Sequence, residues 1–191
     1  MNEAEVHELF EEHGALQRGH FKLSSGRHSD VFVQTALVLR HPGIAERLGH
    51  ELGSRFRSAG ATIVLGPAMG GVVIGHEIAR YLAIPMIYAE RVQDAMMLRR
   101  GFSLDADDRV LIAENTVTTG GSQREVIDLA RTHGADVVGV AAICDRSGGV
   151  SFRVPFESLL QIDASSWDAE ECPLCRDGLV PDAPGSRHLT R

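Results

Sequence analysis

The spacing of apolar positions changes along the chain. Val6, Leu9, Phe10 and His13 recur at helical intervals, which predicts an amphipathic helix over residues 3–14, ended by Gly14. Residues 19–39 read as extended segments, Phe21-Lys22-Leu23 and Val31-Phe32-Val33, joined by a turn at Ser24-Ser25-Gly26-Arg27. Pro42 opens a second helix with Ile44, Leu48, Leu52 and Phe56 on one face. Short continuous apolar runs then alternate with helical patterns. The strands fall at 62–65, 85–89, 109–113, 137–144 and 158–162, and the helices at roughly 72–83 and 122–133. Apolar strands that each lead through a loop into a helix predict an α/β fold, with a mostly parallel sheet covered on both faces. Ligands of such sheets sit beyond the carboxyl ends of the strands. The loops 66–71, 114–122 and 145–149 therefore share one edge. The charged, methionine-rich segment 90–104 starts there too.

Composition narrows the function classes. The 191 residues carry 19 Lys and Arg against 26 Asp and Glu, a net charge of −7, which argues against a nucleic-acid-binding surface. No apolar run approaches ~18 residues, and the acidic start MNEAEVHELFEEHG is unlike a secretory signal. The expectation is a cytoplasmic protein with no membrane or nucleic-acid partner. The three cysteines fit a reducing compartment better than a disulfide framework.

The chemistry concentrates after the 109–113 strand, in Glu114-Asn115-Thr116-Val117-Thr118-Thr119-Gly120-Gly121-Ser122. The glycines let backbone approach a ligand, Ser122 is placed to cap the next helix, and N–H groups at a helix start favour an anion. A monophosphate suits the Thr/Gly end. The acidic end suits hydroxyls, as on a ribose. There is no G-x-x-x-x-G-K-[ST], and 66–71 does not match G-x-G-x-x-G.

An apolar strand, Glu114-Asn115, two further residues and a Thr/Gly phosphate loop together resemble the type I phosphoribosyltransferases, whose signature has two acids after the strand. That resemblance implies a ribose held by Glu114 and Asn115, and a 5′-phosphate held by the loop through Ser122. Asn115 stands where the family has a second acid. Gly14-Ala15-Leu16, Gly19-His20-Phe21 and Ser24 to Ser29 resemble the hood of the family's orotate-using branch. Gly66-Pro67-Ala68-Met69-Gly70-Gly71 resembles its pyrophosphate loop, and Asp145-Arg146 the place where an arginine meets the base.

The resemblance implies a fold with a hood over about 10–40 and a core over about 42–164, together a domain 1–164, with an extension at 165–191. It implies transfer of the phosphoribosyl group of 5-phosphoribosyl 1-pyrophosphate (PRPP) to orotate, with Mg²⁺ as cofactor and a homodimer whose mobile loop 90–104 closes over the neighbour's site. PRPP falls to Arg91, Met69, Gly70, Glu114, Asn115, Thr116, Val117, Thr118, Thr119, Gly120, Gly121 and Ser122. Orotate falls to Ser24, Phe32, Val33, Thr118 and Arg146. The loop contains no lysine, so Arg99 and Arg100, with Glu114, are the catalytic candidates. Arg146 taken alone reads sooner as a surface partner of Asp145, and its place at the strand end favours the base; the loop arginines also read as the solvated face of a hairpin.

Two alternatives stay open: a phosphoribosyltransferase for another base, and a non-catalytic ligand-binding regulator of the same fold. Turnover separates them. In the tail, which reads as irregular, Cys172-x-x-Cys175 is one half of a zinc site by spacing. Cys144 and His188 are residue types able to complete it, though nothing in the sequence brings them near. Packing or a plain turn explains the pair as well.

Overall fold

The computed structural model describes residues 1–23 and 25–184. Helix α1 (Glu3–Glu12) begins at an Asn2 capping box with Glu5, and its apolar stripe Val6, Leu9 and Phe10 is buried. Strands β1 (Leu16–Lys22) and β2 (His28–Val33) form an antiparallel hairpin. A single turn of helix, α2 (Ala36–Leu39), occupies the end of the segment expected to be extended. It buries Val38, and Thr35 rather than a strand residue leads into it. Helix α3 (Pro42–Arg55) starts on its proline.

The core follows in βα order: β3 (Ile63–Pro67), α4 (Gly70–Leu82), β4 (Met86–Val92), β5 (Ala95–Leu98), β6 (Arg109–Val117), α5 (Gly121–Thr132), β7 (Asp136–Asp145) and β8 (Phe156–Gln161). The sheet order is β5-β4-β3-β6-β7-β8, parallel throughout except for the antiparallel edge strand β5. The charged 90–104 segment is therefore largely a hairpin extending β4. Strand β6 also runs four residues past its expected end, so Glu114 to Val117 still pair with β7.

The sheet is buried on both faces, which explains its continuous apolar strands. On β6, Leu111 and Ala113 join Leu48, Leu52, Ile74 and Ile78 on one side. Val110 and Ile112 join Val126, Ile127 and Ala130 on the other. Pleating sends neighbours to opposite faces. No described helix is long and apolar enough to cross a membrane.

The tail departs from expectation. Its described residues form β9 (Ser166–Trp167), which is added to β2, and a short helix α6 (Pro173–Arg176). Asp182 then bridges to Phe21, Lys22 N–H donates to the Asp182 carbonyl at 2.7 Å, and Asp182 N–H donates to the His20 carbonyl at 2.8 Å. Open edges of the β1–β2 hairpin supply these backbone partners, which a sequence pattern does not reveal.

Candidate active site

A cleft of about 300 Å³ opens where β3 and β6 end and α4 and α5 begin. The β3–α4 turn contributes Pro67, Ala68, Met69 and Gly70 to its lining. Strand β6 contributes Glu114, Asn115 and Thr116, and the following turn contributes Thr118, Thr119, Gly121 and Ser122. Arg91 and Met96 reach it from the β4–β5 hairpin. Val117 instead points into the core, with no exposure. Gly120 shapes the turn: its φ is +75°, and a Cβ there would stand 2.8 Å from Val150 and 2.9 Å from Phe152. Gly120, not Ser122, is the N-cap of α5, and no side chain caps that helix. Glycine's access to left-handed backbone prevails over the capping preference of serine. The first-turn residues of α5, Gly121, Ser122 and Gln123, thus line the cleft beside the exposed Thr118 and Thr119, where a helix start offers free N–H groups.

Glu114 is the buried charge of the cleft, only 5% exposed. Its Oε1 accepts from the Asn115 N–H at 3.0 Å and its Oε2 from the Gln123 side-chain amide at 2.9 Å. Burial nevertheless wins, and its pKa is pushed up to about 7, with those two hydrogen bonds opposing the shift. Asn115 is fixed by donating from Nδ2 to the hydroxyl of buried Thr35 at 2.8 Å. Its Oδ1 stays toward Gly70, where a Cβ would lie 3.0 Å from it and 2.6 Å from Glu114 Oε1. Gly70 therefore gives the two polar side chains their room.

Gln123 and Thr35 join the site from outside the motif. For Gln123 a signal exists: it falls on the buried stripe of Val126, Ile127 and Ala130, so it is a polar residue at a core position. Thr35 has none, because its contact spans 80 residues.

The arginines divide. Arg91 lines the cleft, ion-paired with Glu125 at 2.8 Å and donating to the Asp94 carbonyl at 3.0 Å. Arg99 and Arg100 lie outside the cleft lining, on Glu90 at 3.8 and 2.7 Å. Both are exposed, so these ion pairs are weak holds. Arg146 follows β7, and its N–H donates to the Val117 carbonyl at 2.8 Å, tying it to the strand that carries Glu114. Its half-buried guanidinium donates from Nη2 to the Val31 carbonyl at 3.0 Å and lies 3.4 Å from the Ser29 hydroxyl. Nε is buried without a partner, and burial draws the group's pKa below its ordinary value. Val33 packs on the core and Phe32 stacks 5.6 Å from Phe21, so neither lines the cleft. Ser24 lies outside the described residues.

The cysteine pair lies apart from the cleft. Cys172 and Cys175 gather with His20 and His28. Cys144 is not with them, because β7 buries it in the central sheet between Thr116 and Leu160. His188 lies outside the described residues.

The model of the phosphoribosyl transferase domain matches residues 35–169. The chain belongs to the phosphoribosyltransferase family. This phosphoribosyltransferase has the type I fold, an α/β sheet flanked by helices. It is 43% identical over 190 residues to the orotate phosphoribosyltransferase of Caldanaerobacter subterraneus subsp. tengcongensis, covering 99% of this chain and 100% of that one. It is 47% identical to the orotate phosphoribosyltransferase of Thermotoga maritima, covering 96% and 99%. Among solved structures, the orotate phosphoribosyltransferase of Aeropyrum pernix superposes with a TM-score of 0.70 at 25% identity, over 82% of this chain and 93% of that one. The adenine enzyme of Trypanosoma brucei shares the fold, with a TM-score of 0.64 at 19% identity over 82% and 79%.

Proposed function

We propose that this phosphoribosyltransferase transfers the phosphoribosyl group of PRPP to orotate, giving orotidine 5′-phosphate and pyrophosphate. Relatives named for that activity cover almost the whole chain, so the likeness includes the hood and tail as well as the core. Arg146 is the observation that carries the choice of base. A half-buried cation with an unpartnered Nε, held at the end of β7 next to the strand that carries Glu114, suits a planar anionic ring bearing oxygens.

The 5′-phosphate sits on the turn 118–122, against the α5 N–H groups and the two threonine hydroxyls. Glu114 and Asn115 hold the ribose hydroxyls. Orotate lies toward Arg146 and Thr118. A ring nitrogen of orotate bonds to C1 of the ribose as the C1–oxygen bond to pyrophosphate breaks. The nucleophile is already anionic, so positioning and charge stabilisation carry the rate. Ionised Glu114 faces the positive charge that develops on the ribose. Met69, Gly70 and Arg91 meet the leaving pyrophosphate. Arg99 and Arg100 join them when they leave Glu90 and the 90–104 loop closes in a homodimer, which excludes water from the sugar cation.

Mg²⁺ prefers hard oxygen ligands and is commonly held through substrate phosphates plus few carboxylates. The cleft fits that habit: among its lining residues it offers one carboxylate, Glu114, whose two oxygens are already engaged, and the Asn115 amide oxygen. Mg²⁺ would be held chiefly by pyrophosphate and ribose oxygens that Glu114 and Asn115 orient, and it supplies neutralisation of leaving-group charge. The chain divides into a domain 1–164, with hood and core, and an extension from 165.

Arg146→Ala removes a cation with charge-assisted hydrogen bonds, each worth ~1.5–3 kcal/mol, so kcat/KM for orotate falls roughly 10- to 100-fold. A kcat/KM equal to that of the natural protein removes Arg146 from the base site.

A further inference from the structure

Four side chains with metal-ligand chemistry meet where the tail crosses the hood. His20 comes from β1 and His28 from β2, while Cys172 and Cys175 bracket the first turn of α6. Their donor atoms all lie within 4.8 Å of one another, and among the described residues they are the group so arranged. His20 Nε2 is 2.9 Å from His28 Nδ1, 3.4 Å from Cys172 Sγ and 3.7 Å from Cys175 Sγ. Cys175 Sγ is 3.3 Å from His28 Nδ1. Metal bonds of ~2.3 Å to sulfur and ~2.0–2.1 Å to nitrogen give a tetrahedron with ligand–ligand edges of about 3.3–3.8 Å. These four separations fall on or a few tenths of an ångström below that range, and the other two pairs stay within 4.8 Å.

The surroundings orient the ligands. His20 Nδ1 lies 2.8 Å from the Leu179 carbonyl, which can only accept. The ring proton therefore sits on Nδ1, and the Nε2 lone pair faces the cluster, the usual outer-sphere device behind a histidine ligand. Cys172 has no exposure, and His20 and His28 are 6% and 5% exposed. Pro173 starts α6 and turns the chain so that both thiols face the same point. Two sulfur and two imidazole donors in a closed tetrahedron are a zinc set with no position left for substrate.

We propose that His20, His28, Cys172 and Cys175 bind one structural Zn²⁺ per chain, which fastens the tail to the hood. The backbone pairings of β9 with β2 and of Asp182 with β1 flank this point on both sides. The consequence reaches the cleft through β2, because Ser29 and Val31 next to His28 hold Arg146. Loss of the ion loosens the strand that positions the arginine.

The test starts with the natural protein, produced without a polyhistidine tag and purified without chelator. Elemental analysis is expected to give about one zinc per chain, in addition to any exchangeable magnesium. Stripping the zinc with chelator lowers Tm, and Zn²⁺ restores it where Mg²⁺ does not. Cobalt substitution gives the intense visible bands of a tetrahedral thiolate site. Cys172→Ser/Cys175→Ser loses the zinc, and His28→Asn serves if that double variant does not fold. Reduced natural protein that takes up no zinc from an excess overturns the proposal. So do iron in place of zinc, a Cys172–Cys175 disulfide in the freshly isolated chain, or a folded variant that keeps its full zinc.

Discussion

Replacing Glu114 by Gln should make the protein more stable at high pH while making it a poorer enzyme. The carboxyl is buried, and its pKa is pushed from 4.5 to about 7. A group whose folded pKa is raised contributes stability fully present below the unfolded value and lost as pH rises through the folded one. For Glu114 that window runs from about 4.5 to about 7. The difference, about 2.5 units at 1.36 kcal/mol each, is about 3 kcal/mol. Above pH 8 the natural protein holds an ionised carboxylate at that cost, and the amide of Gln carries no charge. The new side chain can keep both neighbours. Its oxygen accepts from the Asn115 N–H, and the Gln123 amide turns to accept from its NH₂. At roughly 2–4 °C per kcal/mol for a chain of this size, the variant should melt about 6–12 °C higher at pH 8.5. The two proteins should be within a degree or two of each other at pH 5. Thermal unfolding of both at pH 5, 7 and 8.5 measures this, while kcat/KM falls because the sugar cation loses its counter-charge. A stability gap independent of pH, or a variant less stable at pH 8.5 than at pH 5 relative to the natural protein, refutes the reasoning.

Two other substitutions probe the same corner. Gly70→Ala puts a methyl 2.6 Å from Glu114 Oε1, so overpacking of about 1–3 kcal/mol displaces the carboxylate or the start of α4. The expected readout is a 10- to 100-fold loss of kcat/KM for PRPP with an unchanged circular dichroism spectrum. Asn115→Asp adds a like charge beside Glu114 and removes the amide donor to Thr35. The acid limb of the kcat/KM–pH profile should move up from about 7, and the rate above pH 8.5 should exceed that of the natural protein.

Much of the core was legible because its signals are local. The apolar run 109–113 and the glycines after it announce β6, the turn and α5, since a doubly buried strand tolerates no polar interruption. What escaped depends on contacts distant in sequence. Strand β5 is short and half exposed at the sheet edge, so Ala95 to Leu98 carry no periodic pattern; pairing with β4 alone makes them a strand. The tail takes its order from hood backbone edges some 140 residues away. The convergence of Cys172 and Cys175 with His20 and His28 is a product of that return, and Cys144, chosen by residue type, is locked in β7 instead. In the cleft, Glu114 and the phosphate turn were readable, whereas Gln123 and Thr35 act only through side chains they meet after folding.

The claim that this chain is an orotate-using transferase is tested most directly by following orotate absorbance with purified protein, PRPP and Mg²⁺, and with adenine or hypoxanthine in parallel. Orotate should disappear with multiple turnovers, stop when PRPP or Mg²⁺ is withheld, and give way to no comparable use of either purine. Stoichiometric binding of PRPP without consumption of orotate, or faster use of a purine, contradicts it.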